Sequence, residues 1–118
     1  MPYIDSSFSC KLTTEKCEVI KSKLGKAIEI LPGKSEEWLF VKLNDGERLY
    51  FQGRELDNGA VVKIKMIGSK TRSEKDALTK EICNIYKDSL GIDPKHIYII
   101  FSEVSTDNWG WNGELFNL

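Results

Sequence analysis

The chain has a single histidine, His96, and only three cysteines, Cys10, Cys17 and Cys83, with no C-x-x-C spacing among them. An odd number of cysteines cannot pair completely, and one histidine beside three scattered thiols is a poor ligand set for structural zinc. No metal or cofactor is expected. Charge of one sign is also missing: 17 Lys and Arg face 18 Asp and Glu, a net charge of −1. Capture of nucleic acid through its phosphates needs a clustered basic excess, so it is excluded as the default function. Long hydrophobic runs are absent, the longest being a few residues against the roughly 18 that a membrane span requires. The opening MPYIDSSFSCKLTTEKCEVI has neither the basic n-region nor the apolar h-region of a secretory signal. These absences predict a soluble, cytoplasmic protein, with any secretion following a route without a signal peptide. With three prolines and 41% apolar residues in 118, one folded domain over 1–118 is predicted.

What is present is periodicity. Between Thr14 and Leu31 the apolar positions Cys17, Ile20, Leu24, Ala27, Ile28 and Leu31 fall three or four apart, one face of a helix. Between Ser73 and Leu90 the same holds for Leu78, Ile82, Cys83, Ile85, Tyr86 and Leu90. Each run opens on a hydroxyl able to cap, Thr13 or Thr14 and Ser73, and closes on a breaker, Pro32-Gly33 and Gly91. The cysteines read as core residues.

The two helical runs are related by an offset of 59, half of the 118 residues. Strand-like segments obey the same offset: 2–9 matches 61–68 before the helices, and 38–43 matches 97–102 after them. The pattern predicts an α+β fold of two tandem β-α-β units, 1–59 and 60–118, joined in a four-stranded mixed sheet with two helices on one face. A short extra strand, 48–52, follows the turn Asn44-Asp45-Gly46. The chain closes on a turn-rich tail whose tryptophans, Trp109 and Trp111, are expected against a pocket, a neighbouring subunit or the sheet's own edge. His96 reads as a surface residue at the start of the last strand.

Five features in order resemble the macrophage migration inhibitory factor family of the tautomerase superfamily. They are Met1-Pro2 opening into a strand, Leu31-Pro32-Gly33-Lys34, Ile67-Gly68, Pro94-x-x-Ile97-Tyr98-Ile99, and Trp109-Gly110-Trp111-Asn112-Gly113 followed by Phe116. The resemblance spans essentially the whole chain. It implies a homotrimer, with the extra strand joining a neighbour's sheet, and a cofactor-independent keto–enol tautomerase acting on small aromatic 2-keto acids such as phenylpyruvate. Pro2 then matches the catalytic proline, Lys34 the lysine beside it, and Ile67 a position whose backbone faces substrate. Tyr98 matches a tyrosine supplied by an adjacent subunit, and Trp38, Trp109, Trp111 and Phe116 match pocket-lining positions.

The chemistry is self-consistent. Proton abstraction beside a carbonyl needs a fixed base that is neutral near pH 7. An α-amine titrates at about 7.7–8.0, and burial plus a nearby Lys34 cation both disfavour its protonated form. Pro2 acts in this way only once Met1 is removed, because otherwise its nitrogen is an amide. Two departures from the family pattern stand out. Ile100 replaces an asparagine common two residues after the tyrosine, and Gly59 and Val62 replace a C-x-x-C found in vertebrate members, so thiol oxidoreductase chemistry is not expected. The alternative function is that of a cytokine-like ligand binding a protein receptor through the trimer surface.

Overall fold

The first strand, β1 (Pro2–Phe8), alternates strictly, with Pro2, Ile4, Ser6 and Phe8 buried and the residues between them half-exposed. That is the period-two pattern of a sheet with one covered face. In the computed structural model, which describes residues 1–117, β1 leads into helix α1 (Thr14–Ala27) and returns as β2 (Phe40–Asn44). A short hairpin follows, β3 (Tyr50–Phe51) with β4 (Arg54–Glu55). The second unit repeats the first as β5 (Ala60–Ile67), α2 (Arg72–Leu90) and β6 (Ile97–Val104), and the chain ends in a hairpin of β7 (Gly110–Trp111) and β8 (Glu114–Leu115).

The sheet order is β2-β1-β5-β6, with β1 parallel to β2, β5 parallel to β6 and the central pair β1 and β5 antiparallel. The predicted tandem β-α-β architecture is therefore what the chain adopts. Both helices pack on one face, burying Ile20, Leu24 and Ala27 of α1 and Leu78, Ile82, Ile85 and Tyr86 of α2 against Ile4, Phe8, Val62, Ile64 and Met66. Each of the Ile, Leu, Val, Phe and Met side chains contributes about 1.5–3 kcal/mol on full burial. One polar pair interrupts this layer: the hydroxyls of Ser6 and Tyr86 share a 2.6 Å hydrogen bond. Left unpaired, either hydroxyl costs about 1–3 kcal/mol in this apolar setting.

The element boundaries differ from the sequence reading for physical reasons. Helix α2 begins two residues earlier than the expected Ser73 cap: Thr71 is the cap, and Thr71 and Glu74 satisfy each other's backbone N–H in a capping box. Helix α1 ends at Ala27, followed by a single 3-10 turn over Ile28–Ile30, because Leu31 precedes Pro32 and is held extended (φ −83°, ψ 115°). Trp38 ends a 3-10 turn, Glu36–Trp38, rather than opening β2. The extra strand is shorter than 48–52 and pairs with Arg54–Glu55 within its own chain. All three cysteines are half-buried and free, with Cys10 and Cys83 packed against the edge of the core rather than inside it. His96 closes a 3-10 turn and is half-buried beside Phe51, at 6.3 Å between ring centroids.

The far face of the sheet has no helix on it. It leaves Phe40 71% and Tyr98 58% exposed, and both sheet edges, β2 and β6, lack a further strand among the described residues.

Candidate active site

The tetrapeptide Leu31-Pro32-Gly33-Lys34 forms a tight turn. Lys34 N–H donates to the Leu31 carbonyl at 3.0 Å, and Gly33 takes φ +79°, the value that the third position of a type II turn demands and that only glycine adopts freely. Proline at the second position pre-sets the turn. Its consequence is that Lys34 leaves the sheet end pointing at the start of β1, where its Nζ donates to the Ile67 carbonyl at 3.0 Å. Ile67 N–H in turn donates to the Met1 carbonyl at 3.3 Å, which binds the amino terminus to the end of β5.

Pro2 opens a central strand, the one position where a missing N–H interrupts no ladder. Its register partner on β5 is Met66. Beside it lies a cavity of about 590 Å³, within the usual range for small-ligand sites. Pro2, Trp38, Trp109 and Trp111 all line it. Trp38 and Trp111 meet edge to face at 5.2 Å between ring centroids and make an aromatic wall. Trp111 is carried there by the closing hairpin, whose Asn112-Gly113 turn has φ of +56° and +82°, the left-handed pair that favours Asn-Gly. Phe116 is half-buried and its N–H donates to the Trp109 carbonyl at 2.7 Å, so it braces the hairpin and does not line the cavity.

The free amine in this structure is that of Met1. Its pKa is lowered from 8.0 to about 6, first by burial, then by the charge of Lys34 and a hydrogen bond with it, and last by Lys70. Lys34 itself is lowered from its ordinary value, mainly by burial, with the amine contact opposing and Lys70 adding. Burial first, and then two lysines, therefore keep an amine at this position largely neutral near pH 7.

Tyr98 is elsewhere. It pairs in register with Val61, whereas Glu103 is the β6 residue level with Met66 and hence with Pro2. Five strand residues separate the two levels, about 16 Å. Tyr98 packs instead on Phe51 at 5.5 Å between ring centroids. A single chain thus sets Pro2, Trp38, Trp109 and Trp111 around the cavity and joins Lys34 and Ile67 at the amino terminus beside it, outside the cavity lining, and leaves Tyr98 and Phe116 out. Sequence reasoning passed over Glu37 and Phe40, which also line the cavity, and Lys70. In the sequence Glu37 and Lys70 look like ordinary surface charges, and Phe40 reads only as a strand residue.

A four-stranded mixed sheet of two β-α-β units with two helices on one face is the fold shared with solved tautomerase-superfamily structures. A family model described as "Tautomerase enzyme" matches residues 61–118, the second β-α-β unit. A macrophage migration inhibitory factor homolog of Trichuris trichiura is 30% identical over 115 residues, covering 93% of this chain and 96% of that protein. A probable tautomerase of Ralstonia nicotianae is 32% identical over 56 residues, 48% of this chain and 86% of that one. Among solved structures, the macrophage migration inhibitory factor homologue of Prochlorococcus marinus superposes with a TM-score of 0.88 at 28% identity, covering 98% of this chain and 99% of that one. The chain belongs to the macrophage migration inhibitory factor family of the tautomerase superfamily. That membership supports a tautomerase or a macrophage migration inhibitory factor-like function. No helix among the described residues is long and apolar enough to cross a membrane.

Proposed function

We propose that this protein is a cofactor-independent keto–enol tautomerase for small aromatic 2-keto acids such as phenylpyruvate, with the nitrogen of Pro2, freed by removal of Met1, as its base. The observation that carries this reading is a buried strand-leading proline on the wall of an aromatic-lined cavity, with the Lys34 ammonium bonded to the amino terminus one residue before it. In the keto-to-enol direction the Pro2 nitrogen takes a proton from the carbon beside the carbonyl. The C–H electron pair becomes the C=C bond, the C=O π pair moves to oxygen and that oxygen takes a proton from solvent water; in reverse the enol O–H gives its proton back to water as the prolinium returns its own to carbon. Lys34 holds the substrate carboxylate, and the tryptophan wall receives the aromatic ring. A tautomerase assay on phenylpyruvate tests the reading, and the absence of any acceleration over buffer overturns it.

Lys34→Ala is expected to raise KM for carboxylate substrates about tenfold and to move the acid limb of the rate profile to higher pH, since both follow from removing one cation at the site. A pH–rate profile that does not move would show that Lys34 does not act on the base.

The site is completed in this reading by Tyr98 of a neighbouring subunit, because Tyr98 of the same chain stands at the other end of the sheet. The uncovered sheet face and the open edges β2 and β6 support a homotrimer, since unpaired edges and exposed aromatics are otherwise sites of aggregation. Light scattering is expected to give three times the chain mass of 13.5 kDa. A stable monomer at micromolar concentration would remove both the trimer and the shared site.

A further inference from the structure

The turn that carries Lys34 and the loop after Ile67 are tied together twice, in opposite senses. Lys34 Nζ donates to the Ile67 carbonyl at 3.0 Å, and Lys70 Nζ donates to the Pro32 carbonyl at 2.6 Å. Each lysine reaches the backbone segment from which the other one springs. Lys70 is fixed in its turn: its N–H donates to Glu103 Oε2 at 2.6 Å, and Glu103 Oε1 accepts from Lys75 Nζ at 3.3 Å. Glu103 lies on β6 at the level of Pro2, and Lys75 lies in α2. The next residue on β6 also holds this loop, since Gly68 N–H donates to the Val104 carbonyl at 3.1 Å. A line of contacts thus runs from α2 through β6 to the loop after β5, and from there to the turn that aims Lys34.

Such an arrangement is not what charge alone would choose. Lys70 brings a second ammonium toward Lys34, and like charges repel. Bonds to carbonyl dipoles hold both in place, and charge-assisted bonds of this kind are stronger than neutral ones.

Resting on the tautomerase reading above, we propose that Lys70, anchored by Glu103, is a positioning residue that braces the Leu31–Lys34 turn and so holds the Lys34 ammonium at the amino terminus. Its charge works in the same direction as its geometry, since it adds to Lys34 in disfavouring a protonated amine. The charged groups at this end of the sheet among the described residues include Lys34 and Lys70 beside the amine, Glu37 on the cavity wall, Lys65 opposite Tyr3 on β5, and Glu103 engaged with the Lys70 N–H and Lys75.

Three variants separate bracing from mere stability. Lys70→Met keeps the aliphatic stem and removes donor and charge; Lys70→Arg keeps both; Glu103→Gln keeps an acceptor for the Lys70 N–H and loses the charge facing Lys75. Lys70→Met is expected to raise KM for phenylpyruvate about 3- to 10-fold with a smaller change in kcat. It should also raise the pKa of the terminal amine, read by NMR with ¹⁵N-labelled proline in the Met1-free protein, by about half a unit. Amide exchange at Lys34, whose N–H closes the turn, should quicken. Lys70→Arg is expected to restore all three readouts, and Glu103→Gln to fall between. A merely structural lysine would lower thermal stability without moving the amine titration. Unchanged titration and unchanged Lys34 exchange in Lys70→Met overturn the inference. The titration and exchange need no turnover, so a wild-type protein inactive on phenylpyruvate removes the tautomerase reading and still leaves the brace decided.

Discussion

Replacement of Pro2 by glycine is expected to lower kcat/KM for phenylpyruvate by about 10²-fold or more, the scale of losing a positioned general base. Glycine at this position still permits removal of Met1 and still presents an amine, so the loss isolates what the ring supplies. The ring holds the nitrogen at one place relative to β1, whereas a glycine at the strand end samples many backbone angles. A base that must approach its carbon to about 3–3.5 Å loses heavily from such freedom. Proline also provides a secondary amine. Pro2 is buried, so the variant forfeits some packing, and thermal unfolding must accompany the kinetics to separate a loosened fold from a lost base. Pro2→Ala, which refills part of the space without restoring the ring, is expected to remain equally impaired. Turnover within twofold of the wild type in either variant, with the fold intact, would refute the assignment of Pro2.

Much of the framework behind this expectation is local in origin and therefore legible in sequence. Leu31-Pro32-Gly33-Lys34 declares its turn, because proline presets one backbone angle and glycine alone takes the next one without strain. The heptad-like spacing of Ile20, Leu24 and Ala27, repeated in Leu78, Ile82 and Ile85, declares two helices with one covered face. Where several local solutions competed, the boundary moved. Thr71 displaced Ser73 as the cap of α2 because only Thr71 has Glu74 three residues on to complete the box. The Tyr50–Glu55 hairpin was half visible, since Gln52 occupies a left-handed position (φ +54°) that its side chain does not advertise.

The site was less legible than the fold because it is made by register. Lys34, Ile67 and the amino terminus are distant in sequence and meet only when β1 and β5 pair antiparallel, Pro2 opposite Met66. The same register sends Tyr98 to the far end of the sheet, a separation that no pattern of residues states in advance. Glu37 and Lys70 are charges in loops, and nothing in their sequence neighbourhood distinguishes them from solvated surface. Their proximity to the cavity and to Lys34 belongs to the three-dimensional arrangement alone.

A preparation that retains Met1 is expected to be inactive. With Met1 in place the Pro2 nitrogen is a tertiary amide, its lone pair delocalised into the peptide bond, and it neither accepts a proton usefully nor titrates near pH 7. Met1 also lines the cavity, so its retention fills part of the space meant for substrate. The amine it offers in exchange is chemically suitable, with a pKa of about 6, but belongs to a chain end one residue removed from Pro2. Adjacent residues are about 3.8 Å apart, more than the tolerance of a base that must meet its carbon at 3–3.5 Å. Removal of Met1 moves the free amine to Pro2, one residue nearer the strand than the amine that Lys34 and Lys70 now face. The sign of the pH dependence then follows: the base works when unprotonated, so activity falls as pH drops through the amine's pKa and levels off above it, and burial and nearby lysines, the causes that lower the Met1 amine, are expected to lower the Pro2 amine in the same direction. Proline is small, and cells normally remove an initiator methionine that precedes such a residue. Intact-mass measurement on the same samples used for the phenylpyruvate assay decides the matter, with activity expected to scale with the Met1-free fraction. Full activity in a sample whose mass shows Met1 quantitatively retained would eliminate Pro2 as the base and transfer that role to the Met1 amine beside Lys34.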